Sequence, residues 1–162
     1  MRYIDIHKTS GFTIVELVIV ITIIGLLSTM SFVGYSSVLK SARDTKRKVE
    51  LGQIRVALEL YKTAQDSPSY PMGNGKISPS LQSALAPYAD TVPQDQTAGA
   101  YYLYTAFKNG ADCLDESEAC DDYLLAAHLE AGPTTSCAPI GTVCGSKSEH
   151  ICNFCLTAKG KK

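Results

Sequence analysis

The sequence predicts an α+β protein. It comprises a long N-terminal α-helix, with a first half apolar enough to be transmembrane, packed on a small antiparallel β-sheet that carries a cysteine-rich C-terminal region. Three observations point there. A run of 22 residues from Phe12 to Val33 holds a single charge, Glu16. Helical periodicity then continues to about Lys62, with no proline before Pro68. Three short aromatic or apolar runs follow among turn-rich segments. A chain of 162 residues fits one modest domain plus an accessory element. Its net charge of −1 gives no global reason to expect nucleic acid or an acidic substrate, so an electrostatic partner must meet a local patch.

The run FTIVELVIVITIIGLLSTMSFV is long enough for a bilayer, which needs about 20 apolar helical residues. A cleaved secretory signal has an apolar core of about 7–15 residues and a small-residue cleavage site, so the segment reads as retained. An ionised Glu16 inside it costs a few kcal/mol by insertion scales. It either lies near the headgroups or meets a cation when the helix packs against other helices.

Met1 to Ser10 form a short polar leader containing Arg2 and Lys8. Gly11 and Phe12 follow, and Glu16 is the fifth residue counted from Phe12. The arrangement KTSGFTIVEL resembles the class III signal of type IV prepilins and of the pseudopilins of type II secretion. The resemblance implies a leader over 1–11 and cleavage between Gly11 and Phe12 by a membrane-embedded prepilin peptidase. It also implies N-methylation of Phe12, a transmembrane and filament-core helix over 12–35, and an extracytoplasmic pilin-like head over 36–162. Glu16 would form the assembly salt bridge with the amino terminus of a neighbouring subunit, two costly charges neutralising each other in an apolar bundle. Many family members have a proline where this chain has Val33, followed by Gly34. Gly25 and Gly34 either permit close helix contacts or are simply tolerated.

Lys40, Arg43, Lys46, Arg47 and Lys48 follow the span, and counting basic residues alone would put that side in the cytoplasm. The resemblance implies the reverse, leader in and head out, and the late cysteines favour an external head. Leu51, Ile54, Leu58 and Tyr61 form a stripe that packs on the head, while Asp44 and Lys48, four apart, support an exposed helix face. The stretch ARDTKRKVELGQIRVALELYK, with Ser69-Tyr70-Pro71, is similar to the same region of major pseudopilins. Its basic run would face lipid headgroups, acidic surfaces of other subunits or DNA, or is a solvated helix face.

In the remainder, Pro71 to Lys76 reads as a turn. Ser78-Pro79 starts a short helix over Pro79–Ala86. Tyr101–Phe107, Tyr123–Leu129 and Ile151–Thr157 read as strands of an antiparallel sheet. The acidic stretch between the first two offers Asp112, Asp115, Asp121 and Asp122 as calcium candidates, with Glu116 and Glu118 beside them, although the spacing matches no EF-hand. A solvated acidic loop closed by Cys113 and Cys120 is the alternative. Cys137, Cys144, Cys152 and Cys155 suit extracytoplasmic disulfides, a zinc knot or free thiols, with Glu149 and His150 nearby. His128 reads as a strand surface residue.

No phosphate loop, serine elbow or HExxH is present, so the chain is not read as an enzyme. No cofactor is expected, calcium being the one candidate. The leading function is a structural subunit of a type IV pilus or pseudopilus, held in the bacterial inner membrane as a single-pass precursor. It would then be assembled by an inner-membrane platform and ATPase into a helical filament of itself and other pilins or pseudopilins. Surface appendage, DNA uptake and protein secretion stay open. The rival is a monomeric membrane-anchored extracytoplasmic module that binds a metal or another ligand.

Overall fold

The computed structural model describes residues 11–115, 119–139 and 142–161, without the side chains of residues 30–34 and 161. The leader Met1–Ser10 lies outside the described residues, as do Glu116 and Glu118. The chain divides into two compact units, one ending at Leu39 and the other running from Lys40 to Lys162.

In the first unit the chain enters α1 (Ile14–Ala64) at Ile14. Every large apolar side chain from Phe12 to Leu27 is exposed, by 47 to 89%. Among the described residues no helix is long and apolar enough to cross a membrane. The apolar run of the sequence continues to Val33, through side chains outside those described.

The second unit contains α1 from Lys40 to Ala64, then β1 (Asn74–Lys76), α2 (Pro79–Leu85), β2 (Leu103–Lys108), β3 (Ala111–Asp112), β4 (Asp122–Ala127), β5 (Phe154–Thr157) and β6 (Gly160–Lys161). The strands form an antiparallel sheet in the order β1-β2-β4-β5-β6, with β3 turning back on β2. Asn109 and Gly110, both at positive φ, make that tight turn. α2 begins where Ser78 and Pro79 predict, and the Ser78 hydroxyl accepts from the Leu81 N–H at 3.3 Å.

Both faces of the sheet are covered. Tyr104, Ala106, Tyr123, Leu125 and Ala127 pack with Leu51, Ile54 and Leu58 of α1 and with Leu81 and Leu85 of α2. Tyr61 packs partly buried at the end of the predicted stripe. On the opposite face Leu103, Leu124, Ala126 and Cys155 lie beneath Cys144 and Cys152 of the C-terminal loop. A strand covered on both sides has no polar alternation, which is why YLLAA reads as one apolar run. Three disulfides staple the loops: Cys113–Cys120, Cys137–Cys155 and Cys144–Cys152, the last nested inside the second.

Two sequence expectations need correction. Pro71–Lys76 is not all turn, because Asn74, Gly75 and Lys76 pair with Thr105, Tyr104 and Leu103. Those three residues have little strand preference of their own, and β2 supplies the ladder. Two strands also begin later than expected. Tyr101 donates its N–H to the Cys144 carbonyl and the Tyr102 carbonyl accepts from Ile77, so both serve loops before β2 starts. Ile151 bridges Val143, and the Asn153 side chain holds Leu129, before β5 starts.

Candidate functional site: the first turn of α1 and the charged cluster on its second half

Thr13 immediately precedes α1 and Glu16 is its third residue. The Thr13 N–H and hydroxyl both donate to Glu16 Oε2 at 2.9 Å, and the Glu16 N–H donates back to Thr13 Oγ1 at 3.3 Å. This reciprocal pair is a capping box, which satisfies helix-end donors that would otherwise lack a partner. The T-x-x-E spacing of Thr13 and Glu16 is the sequence signature of this box. Farther along, Thr22, Ser28 and Thr29 donate to the carbonyls of Ile19, Ile24 and Leu26. Every described polar side chain from Phe12 to Thr29 therefore bonds within its own helix end or turn, leaving an apolar outer surface. Such a surface suits an environment without water. Phe12 is 89% exposed, and among the described residues a Cβ at Gly11 would meet nothing within 4 Å, so these residues do not require glycine there.

The other candidate residues lie apart from this turn. Asp112 accepts from Asn74 Nδ2 at 2.8 Å, Asp121 from the Asn109 N–H at 3.1 Å, and Asp122 from the N–H groups of Tyr123 and Ala158 at 2.8 and 3.1 Å. Asp115 lies in the loop closed by Cys113 and Cys120. Among the described residues no group of three or more His, Cys, Asp or Glu is placed to hold a metal ion. All six cysteines are in disulfides rather than a zinc knot or free thiols. Glu149 pairs with Lys147 at 3.4 Å on the surface.

The model of the prokaryotic N-terminal methylation motif matches residues 6–32, the leader end, the Gly11-Phe12 step, Glu16 and the apolar run together. The chain carries a prokaryotic N-terminal methylation motif. It is also similar, at 36% identity over 52 residues, to a probable minor fimbrial protein of Dichelobacter nodosus. That alignment covers 32% of this chain, and the chain spans about a third of the length of that relative. No solved structure matches this chain.

Three residues of the basic run after the apolar segment, Arg43, Lys46 and Arg47, are engaged with carboxylates. Arg47, 3% exposed, donates from Nε to Asp95 at 2.8 Å, from Nη1 to Asp44 at 2.9 Å and to Glu130 at 3.1 Å, and from Nη2 to Thr97 Oγ1 at 2.7 Å. Arg43 forms a two-pronged pair with Glu130 at 2.7 and 2.6 Å. Asp44 is buried, not on the exposed face expected of it, and accepts the N–H groups of Glu130 and Ala131, both at 2.8 Å. Lys46 faces Glu50 at 3.7 Å, whose carboxylate also accepts the Tyr102 hydroxyl. The cluster ties α1 to the segment before β2 and to the turn after β4.

Electrostatics follow the geometry. The Arg43 hydrogen bond, helped by Arg47 and opposed by partial burial, holds the Glu130 carboxyl down at about 2. Burial alone would lower the Arg47 value, but Asp95 and Glu130 outweigh it and raise it. Arg43, Lys46 and Arg47 each face a carboxylate.

Proposed function

We propose that the chain is a structural, non-enzymatic subunit of a type IV pilus-like filament. It is made as a membrane-anchored precursor, cut between Gly11 and Phe12, and methylated on the Phe12 amine. The observation that carries this reading is the apolar face from Phe12 to Leu27, exposed throughout and lying within the methylation motif. An isolated soluble chain does not keep so much contiguous apolar surface in water; bilayer first and packed helices later both cover it. The open space around Gly11 supports a requirement set by a processing enzyme rather than by folding. The similarity to a probable minor fimbrial protein supports a filament over a monomeric binding module.

On this reading Glu16 has two partners in succession. In the single subunit it caps its own helix through Thr13, and in the filament the freshly exposed amine of another copy approaches the same carboxylate. The test is coexpression of the full chain with a prepilin peptidase, followed by intact-mass measurement. The expected product lacks Met1 to Gly11 and carries one added methyl group, and a Gly11→Ala chain stays full length while keeping its unfolding midpoint. A wild-type product that still begins at Met1 contradicts the proposal.

A further inference from the structure

His128 follows β4 directly, and His150 lies two residues before Cys152, at the end of the Cys144–Cys152 loop. Both are half-buried. Their ring centroids are 5.2 Å apart with planes inclined by 36°. His128 Nδ1 lies 3.0 Å from the Ile151 carbonyl oxygen, and His150 Nδ1 lies 3.3 Å from that of Gly99. A carbonyl oxygen only accepts, so Nδ1 is the protonated nitrogen in both rings. Each neutral imidazole then keeps its lone pair on Nε2. The same clamp on the other ring nitrogen orients histidines that bind metal ions and raises their basicity.

Dimensions and surroundings agree. With metal–nitrogen bonds of about 2.0–2.1 Å, two imidazoles on a tetrahedral ion place their ring centres about 5 Å apart, the separation seen here. The backbone leaves room for His150: a Cβ at Gly145 would lie 2.0 Å from its Nδ1, and Gly99 adopts a φ of +79°. The loop is fixed as well as open. Ser146 donates its N–H to the Gly99 carbonyl at 2.6 Å, and Cys144 donates to the His150 carbonyl at 2.7 Å beside its disulfide.

We propose that His128 and His150 form a two-histidine site for a divalent transition ion of the Zn2+, Ni2+ or Cu2+ type, with water at the remaining positions. Imidazole nitrogen suits these ions and not Ca2+ or Mg2+. A bound ion ties the end of β4 to the disulfide loop that covers the outer face of the sheet. This site is independent of the N-terminal segment and of the filament reading.

The test uses the full chain in detergent, freed of metal by a chelator, with His7→Gln throughout so that the third histidine of the sequence contributes nothing. Zn2+ at about tenfold its dissociation constant should raise the unfolding midpoint by about 3–6 °C. His128→Gln and His150→Gln should each remove that rise. Cu2+ bound to protein labelled with 15N-histidine should show spin-resonance couplings from two imidazole nitrogens, a readout that needs no substitution within the pair and holds if a variant fails to fold. No midpoint shift, an equal shift in both variants, or coupling to one nitrogen or none overturns the proposal.

Discussion

Replacing Arg47 by methionine removes the one guanidinium that bonds Asp44, Asp95, Glu130 and Thr97 at once, while keeping most of the buried stem. Asp44 and Asp95 lose their cation yet stay in the interior, their side chains 6 and 4% exposed. Breaking such a buried pair from one side costs about 3–5 kcal/mol, because the remaining charge is uncompensated. Asp44 keeps two backbone N–H donors and Asp95 keeps that of Thr97, which places the cost toward the lower part of that range. For a unit of this size that is a fall of about 10–15 °C in the unfolding midpoint. The assay is thermal unfolding of the full chain in detergent, followed by the circular dichroism of the buried tyrosines. Arg43→Ala serves as the control: Arg43 is 44% exposed, so loss of its pair with Glu130 should lower the midpoint far less than loss of Arg47 does. An Arg47→Met chain that unfolds within about 2 °C of wild type would show that the cluster does not hold the unit together.

Acid should act through Glu130. Its folded value of about 2 lies below the ordinary 4.5, so its contribution is fully present above about pH 4.5 and lost as pH falls toward 2. Partial exposure reduces that contribution to about 1–2 kcal/mol. Stability measured from pH 6 to pH 2 should therefore fall less steeply in Glu130→Gln than in wild type, and parallel curves would refute the assignment. Replacing Cys137 and Cys155 together by alanine opens the outer of the two nested loops, 18 residues apart in sequence. The expected loss is about 2–4 kcal/mol in denaturant titration, with faster proteolysis in the 129–153 segment; resistance equal to wild type would contradict it.

Local chemistry made part of this fold legible. The apolar run and the stripe from Leu51 to Tyr61 announce α1, Ser78-Pro79 announces α2, and the aromatic and apolar runs announce β2, β4 and β5. β1 was hidden because Asn74-Gly75-Lys76 takes its strand form from β2 and not from its own residues. The Arg47 cluster was hidden for a different reason. Its partners lie 48 and 83 residues away in sequence, and no periodicity marks a charge that folding will bury. Asp44, three residues from Arg47, had the spacing of an ordinary surface pair. Cysteine pairing divides the same way: Cys113 and Cys120 flank one short loop and suggest each other, whereas the nested pairs depend on how β5 turns under the C-terminal loop. At the helix start the methylation signal was plain, and the capping role of Thr13 was equally local.

On the proposed function the apolar start of α1, from Ile14, is the assembling element and Glu16 is its one indispensable charge. The most direct measurement compares wild-type and Glu16→Leu chains, both processed by the same peptidase, in filaments sheared from cells and analysed by N-terminal mass spectrometry. The account predicts wild-type chain in the filaments, beginning with methylated Phe12, and Glu16→Leu retained in the membrane fraction. Glu16→Leu chain found in filaments at the wild-type level would contradict it.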